Sequence, residues 1–246
     1  MSAVVDVSQR DLQAIVIDAT ERDLRSVSTE LKRVATEGPI LIKNAAQLHG
    51  LIAGFKEGDV TIEGEGGDYL GVLNDGATIR VTGSANRYLA DNMTRGIVIV
   101  EGDAGYGAGQ YCYGGTLVVH GNAGDFTAVM NKGATIIVEG DVGDEVATYM
   151  LDGDLIIAGN AGRNLGNYLI RGCIYIAGTW ESLGHNTLQE EMADDDVSKL
   201  RDYFDRYGVD ANPAAFTKIV RLSEKPFYKT KETTQPAQVP LVVLQG

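Results

Sequence analysis

The stretch from Gly96 to Gly124, GIVIVEGDAGYGAGQYCYGGTLVVHGNAG, contains two successive units built on the same plan. Each unit has a first glycine, a β-rich segment and a second glycine six residues later, followed by a Gly-x-x-Gly turn. The segments are rich in valine and isoleucine and are bounded by glycine, which is typical of strands between tight turns. The units therefore predict two stacked coils of one strand-rich repeat.

The same unit recurs along the chain in seven copies. The first and second glycines of the copies are Gly58 and Gly64, Gly76 and Gly83, Gly96 and Gly102, Gly115 and Gly121, Gly133 and Gly140, Gly153 and Gly159, and Gly172 and Gly178. Successive first glycines are separated by 18, 20, 19, 18, 20 and 19 residues, a period typical of solenoids. No copy has the 3.6-residue periodicity of a helical repeat, so the solenoid is predicted to be a β-helix.

Three columns of apolar residues are predicted to face inward. Two residues before each second glycine stand Ile62, Val81, Val100, Val119, Val138, Ile157 and Ile176, and four before it stand Val60, Ile79, Val98, Leu117, Ile136, Leu155 and Ile174. Three residues before the later first glycines stand Leu73, Met93, Cys112, Met130, Met150 and Leu169. Alternation places the first two columns on one face of a strand. The sequence thus predicts a mainly β fold, a right-handed single-stranded β-helix of about seven coils.

The segments that flank the repeats predict a cap, a helix and an arm. Residues 1–57 are expected to form an α/β strand-helix-strand cap, with Thr20 and Asp23 as a capping box. Residues 58–180 are the β-helix, and residues 181–246 are expected to form a C-terminal helix that begins at Asp194 to Asp196 and stops at Gly208, followed by an extended arm.

Composition disfavours several classes of partner. The 246-residue chain has a net charge of −13, which opposes binding to nucleic acid or to anionic lipid. The N-terminus has no secretory signal and no apolar run is long enough to span a membrane, so a cytoplasmic location is expected. Cys112 and Cys173 are placed in different coils, too far apart for a disulfide.

The sequence predicts no catalytic, cofactor-binding or metal-binding residue. His49, His120 and His185 lie in separate regions without metal-ligand spacing, and two cysteines cannot hold an iron–sulfur cluster. The glycines complete neither a dinucleotide-binding nor a phosphate-binding motif, and no nucleophile elbow is present.

One outward position predicts a covered surface. The residues three before the second glycines of the last five coils are Ile99, Val118, Ile137, Ile156 and Tyr175. Five stacked apolar side chains exceed what a bare surface usually exposes, so either the C-terminal helix or a partner subunit is expected to cover this stripe. Beside it, Glu101, His120 and Glu139 would form a polar rim. A separate outward column should bring Lys132, Asp152 and Arg171 into neighbouring coils.

The glycine pattern from Gly58 to Gly178 resembles the GXGXG β-helix domain that closes the large subunit of glutamate synthase. The cap and the C-terminal runs Leu200 to Tyr207, Phe216 to Val220 and Glu224 to Tyr228 are similar to those of free-standing subunits, above all those of N-methylglutamate synthase, also called methylamine-glutamate N-methyltransferase. The resemblance implies a non-catalytic subunit that bridges a glutaminase-like subunit and a synthase-like subunit, the latter carrying FMN and an iron–sulfur cluster, in a higher-order hetero-oligomer.

Two alternatives keep the fold and change the complex. The repeats are also similar to those of ammonia-dependent or split glutamate synthases and of the β-helix subunit of formylmethanofuran dehydrogenase. The sequence leaves open whether the amine is methylamine or ammonia, because that choice would lie in the partner subunits. An autonomous carbohydrate-binding or lyase β-helix is a weaker interpretation, since such proteins are usually exported.

Overall fold

The computed structural model describes residues 14–224, and its N-terminal cap is a strand, a helix and a strand. These are β1 (Ile15–Asp18), α1 (Leu24–Val34) and β2 (Ile40–Lys43), with β1 and β2 parallel. Asp23 is the N-cap of α1, and its carboxylate accepts the Ser26 N–H at 2.7 Å. Thr20 instead bonds to Asp18, so the capping box expected to start at Thr20 is wrong.

The next seven strands form a parallel solenoid, one strand in each coil. They are β3 (Asp59–Ile62), β4 (Asp75–Val81), β5 (Arg95–Val100), β6 (Thr116–Val119), β7 (Lys132–Val138), β8 (Asp152–Ile157) and β9 (Cys173–Ile176). Each strand pairs in parallel with the next, and β2 pairs with β3, so cap and solenoid share one sheet. A mainly β solenoid of about seven coils is thereby confirmed, while the boundaries at residues 57 and 180 stay predictions.

A second line of contacts joins the coils at the glycine turns. Isolated parallel bridges connect Gly66, Ala85, Ala104, Ala123, Val142, Ala161 and Trp180 in succession. Beside them, Asp103 accepts the N–H of Asn122 at 2.7 Å, and Asn122 accepts the N–H of Asp141 at 2.8 Å. A Cβ on Gly102 would lie 3.0 Å from the Gly83 backbone, which explains why the turn requires glycine.

The two inward columns of the strands are confirmed, because all fourteen side chains are fully buried. The third column is partly wrong. Met93, Cys112, Met150 and Leu169 are buried, but Leu73 is 54% exposed and Met130 is half-buried with a left-handed φ of 51°. In those two coils the inward position belongs to the following residue, Asn74 or Asn131, both fully buried.

The physical reason is an extra residue in β4 and in β7. The register shifts between Asp75 and Thr78 and between Lys132 and Thr135. Such a bulge adds one residue between the two glycines of these copies, so alignment on the first glycine displaces the column by one. The expected charge column is in register, since Lys132 pairs with Asp152 across β7 and β8.

The C-terminal elements are β10 (Thr187–Glu190), α2 (Asp194–Tyr207), a 3₁₀ turn (Pro213–Ala215) and β11 (Thr217–Arg221). Helix α2 ends at Gly208, whose φ of 72° is left-handed, as expected. Strand β11 lies antiparallel between β9 and β10. Residues 217–221, expected in a surface arm, therefore belong to the sheet, and the rest of the arm, residues 225–246, lies outside the described residues.

Candidate functional surfaces

The apolar stripe is covered by the C-terminal part of the chain itself. Ile99, Val118, Ile137, Ile156 and Tyr175 are buried in one cluster with Leu200, Phe204, Val209 and Phe216. Helix α2 supplies the first two of the covering residues, and the segment after it supplies the others. Of the two expected occupants, the structure shows the helix over this stripe.

Helix α2 runs along the stack and makes one polar contact with each coil it crosses. The contacts, from the last coil backwards, are Tyr175 Oη to Asp196 at 2.7 Å, Lys199 to Asp154 at 2.9 Å, Tyr203 to Thr135 at 3.2 Å and Tyr207 to Thr116 at 3.2 Å. Each step of three or four residues advances a helix by about 4.5–6 Å. That rise is close to the roughly 4.8 Å between paired strands, so successive contact residues of α2 meet successive coils.

A buried polar cluster fixes the N-terminal end of α2. Asp196 accepts hydrogen bonds from the Tyr175 hydroxyl, from the Ala193 N–H at 3.0 Å and from Lys218 Nζ at 3.0 Å. Burial alone would raise the pKa of Asp196, but these hydrogen bonds outweigh it and lower that pKa below its usual value. Burial, reinforced by the bond to Asp196, raises the pKa of the Tyr175 phenol, which therefore stays protonated and donates.

The expected polar rim also contacts the chain itself. His120 Nδ1 lies 2.8 Å from Glu139 Oε2, and Glu139 Oε1 accepts the Asp210 N–H at 2.8 Å, just after α2. Glu101 forms an ion pair with Arg80. Within the rim, Glu139 therefore holds the segment that follows α2.

Burial favours the protonated form of both cysteine thiols. Burial raises the pKa of the Cys112 thiol to about 12, so this thiol is a buried apolar group. Cys173 is half-buried beneath α2, and burial raises the pKa of its thiol as well. Among residues 14–224 no group of three His, Cys, Asp or Glu side chains is placed to hold a metal ion.

A second surface, which we term the aromatic corner, was not identified from the sequence. It comprises Tyr69, Leu73, Tyr88, Tyr106, Tyr111, Tyr113, Phe126, Met130, Tyr149 and Tyr168. Five of the nine markedly exposed large apolar side chains among residues 14–224 belong to it, with Tyr113 the most exposed of the five at 55%. These residues lie in the turns and loops between successive strands.

The rings of the aromatic corner stack from coil to coil. Tyr69 and Tyr88 are stacked with centroids 4.7 Å apart, and Tyr149 and Tyr168 are stacked at 5.1 Å. Tyr106 lies between Tyr88 and Phe126 and contacts both rings. Such pairs contribute roughly 0.5–1.5 kcal/mol beyond the area they bury, so part of this surface stabilises the stack.

The Lys132 side chain contacts two rings of the corner. Lys132 Nζ sits 3.9 Å from the centroid of Tyr113 and 5.7 Å from that of Tyr111. Nearby, burial raises the pKa of Asp91. The signal that could have revealed the corner is the recurrence of tyrosine at multiples of the repeat, as at Tyr111, Tyr149 and Tyr168.

The fold and these surfaces define the class of protein: a parallel β-solenoid with glycine turns, capped at one end and sealed along one side by its own C-terminal helix. The family model described as GXGXG motif matches residues 13–207. The chain therefore belongs to the GXGXG motif family, as its glycine pattern predicted. No curated protein sequence matches the chain.

Among the solved structures to which this chain is similar is one chain of an enzyme complex. It is a chain of the formyltransferase/hydrolase complex (FhcABCD) from Methylorubrum extorquens in complex with methylofuran. The similarity covers 82% of this chain and 87% of that chain, at 21% identity and a TM-score of 0.48. No helix among residues 14–224 is long and apolar enough to cross a membrane.

Proposed function

We propose that this chain is the non-catalytic β-helix subunit of a glutamate synthase-like enzyme, specifically N-methylglutamate synthase. The reaction of the assembly converts methylamine and glutamate into N-methylglutamate and ammonia. The chain holds a glutaminase-like subunit and a synthase-like subunit at a fixed distance, and FMN and an iron–sulfur cluster reside in the synthase-like subunit.

The observation that carries the proposal is the seal that α2 makes over the stripe. The sequence between Leu200 and Val220, which resembles free-standing subunits, supplies the helix residues and strand β11 that close this side of the solenoid. A β-helix completed by its own chain fits a separate subunit, because it needs no continuous synthase domain to cover the apolar face.

The arrangement of the coils supports a role as a rigid spacer. The two inward columns are buried in every coil, and the strands pair without interruption from β1 to β9. Six coil steps of about 4.8 Å give a solenoid of roughly 30 Å, comparable to the diameter of a small domain. Such a unit can fix the relative positions of two larger subunits.

Co-purification from the native cell tests the proposal. A tagged full-length chain should retain a subunit with flavin absorbance and a second, glutaminase-like subunit, and the complex should form N-methylglutamate from methylamine and glutamate. The isolated chain should show neither absorbance nor turnover. The same purification from cells that carry the untagged chain is the control.

Two outcomes would overturn the proposal. A complex that accepts ammonia but not methylamine would indicate a split glutamate synthase. Partners that hold a molybdenum or tungsten pterin and lack flavin would indicate a formylmethanofuran dehydrogenase-like assembly.

A further inference from the structure

We propose that two copies of this chain associate end to end through strand β10, as an antiparallel pair of strands related by a two-fold axis. The 11-stranded sheets of the two copies then continue into each other at the C-terminal ends of their solenoids. The contact involves only copies of this chain, so it is independent of the enzyme complex proposed above.

Strand β10 lies at the edge of the described sheet. Among residues 14–224, it pairs with β11 on one side and with no strand on the other. Its sequence, TLQE, holds neither proline nor lysine, two residue types that often keep an edge strand from pairing. Within this part of the chain, one side of β10 can therefore accept a further strand.

The hydrogen bonds between β10 and β11 show which backbone groups face outward. The Leu222 N–H donates to the Asn186 carbonyl at 2.9 Å, and alternate residues of an antiparallel strand bond to the same neighbour. Leu188 therefore bonds to β11, whereas the N–H and C=O groups of Thr187 and Gln189 point away from it. A further strand on this side meets two donors and two acceptors.

The sequence of β10 is self-complementary in one register. With Leu188 opposite Leu188 of the second copy, Thr187 of each copy faces Gln189 of the other, and all the outward backbone groups of both strands form hydrogen bonds. The two leucines then form a non-hydrogen-bonded pair, in which the Cα atoms are about 4.5 Å apart and the side chains are closest. A shift by two residues in either direction places Leu188 opposite Glu190 or Asn186, so the apolar contact favours the first register.

Exposed apolar side chains lie where this register joins the two sheets. Leu188 is 47% exposed, and Leu222, which continues the pairing with β10, is 65% exposed. Val220 stands opposite Leu188 on β11, so a row of four apolar side chains runs from one copy to the other on one face. Burial of these side chains favours the association.

The charges at the contact permit this pairing despite the acidic composition of the chain. Glu190 lies opposite Lys218 on β11, and their charged groups are 3.3 Å apart. In the proposed register Glu190 faces Asn186 of the second copy, so no two carboxylates stand directly opposite each other across the two strands. A two-fold pair is closed, which limits association through this edge to two copies.

Sedimentation equilibrium of the isolated full-length chain tests the association. Two four-residue strands make a contact smaller than the roughly 1,200–2,000 Å² of stable interfaces, so we expect a weak dimer whose fraction rises with protein concentration. Leu188→Arg should raise its dissociation constant roughly tenfold or more, because two cations then stand opposite each other. Leu73→Arg, at a leucine that is 54% exposed between β3 and β4, is the matched control and should leave the constant unchanged.

Disulfide formation tests the register. Leu188→Cys should give a disulfide-linked dimer under mild oxidation, because a Cα separation of about 4.5 Å is one that a disulfide can bridge. Gln189→Cys is the matched control, since the two copies of residue 189 are displaced by two positions and should give roughly tenfold less dimer. The unsubstituted chain, which holds Cys112 and Cys173, measures the background.

Three results would each overturn the proposal. The first is a chain that stays monomeric at every concentration, which would assign the edge to the C-terminal segment or to a partner subunit. The second is an equal effect of Leu188→Arg and Leu73→Arg on the dissociation constant. The third is a higher disulfide yield from Gln189→Cys than from Leu188→Cys. All three concern the isolated chain and leave the proposed enzyme complex unaffected.

Discussion

At the scale of single residues, two buried asparagines explain the irregular spacing of the repeat. Asn131 donates to the Ala134 carbonyl at 2.8 Å and accepts the Ala134 N–H at 2.9 Å, and Asn74 binds Ala77 in the same way. These bonds satisfy the backbone of the extra residue in β7 and β4. The coils with the longer glycine spacing are thus the coils in which an asparagine replaces the apolar residue of the inward column.

We therefore expect Asn131→Leu to destabilise the protein, although leucine occupies the equivalent position at Leu169. The substitution removes both partners of the Ala134 peptide groups, and each buried unsatisfied group costs about 1–3 kcal/mol. Chemical denaturation should show the loss in free energy of unfolding. Met130→Leu, at the half-buried neighbouring position, should change it by less than about 0.5 kcal/mol. Equal stability of the two variants would contradict the role of Asn131.

The asparagines also mark what the sequence could and could not predict. Both strand columns followed from alternation, because they are counted back from the second glycine, which recurs every 19 residues from Gly64 to Gly178. The third column was counted from the first glycine, which the bulges displace, so Met130 was assigned inward in place of Asn131. A buried asparagine has no apolar signature, and only its hydrogen bonds explain its position.

At the scale of elements, the decisive contact is that of α2 with the stripe. The sequence predicted the helix, its end at Gly208 and the need for a cover. The sequence alone did not show whether this helix or a partner subunit covers the stripe. An amphipathic pattern shows that a helix has an apolar face but not which surface that face contacts. The polar contacts of α2 with successive coils involve residues far apart in the chain and carry no local signal.

Ile156→Glu should destabilise the isolated chain by about 3 kcal/mol or more, because it buries a carboxylate between the sheet and α2. The thermal midpoint measured by circular dichroism should fall accordingly. Thr61→Glu is the matched control, since Thr61 stands in the same column but outside the cluster under the helix. A normal midpoint for Ile156→Glu would mean that α2 is not seated on the stripe in solution.

The lowered pKa of Asp196 predicts an acid dependence of this contact. A carboxyl group whose pKa is lower in the folded state stabilises the fold above its unfolded pKa of about 3.9, and this contribution is lost as the pH falls through the folded pKa. Wild-type stability should therefore decline below about pH 4. Asp196→Asn should be less stable by about 1–3 kcal/mol at pH 7 and should lack this part of the decline. Parallel pH profiles for both proteins would contradict the assignment.

At the scale of the whole molecule, the constant distance between second glycines makes each coil a replaceable unit. The stability of a solenoid is approximately a sum of repeat and neighbour contributions. The stabilisation that α2 provides is not included in that sum, because the helix contacts four coils at once and its contacts depend on the number of coils. A complete coil should therefore be dispensable only where α2 does not lie.

Two deletions of one bulged coil each test this dependence. Deletion of residues 65–83 joins Gly64 to Ser84 and removes β4, which makes none of the four polar contacts with α2. Deletion of residues 122–140 joins Gly121 to Asp141 and removes Thr135, Ile137 and Glu139, so Tyr203 and Asp210 lose their partners.

Both deletion variants lose the stabilising contribution of one repeat and of one contact between neighbouring repeats. Only the second deletion also displaces the contact residues of α2 from the coils that they bind. We expect the thermal midpoint of the second variant to be clearly lower and its unfolding less cooperative. Equal midpoints and equally steep transitions would show that the coil-by-coil contacts of α2 add nothing to the stability of the solenoid.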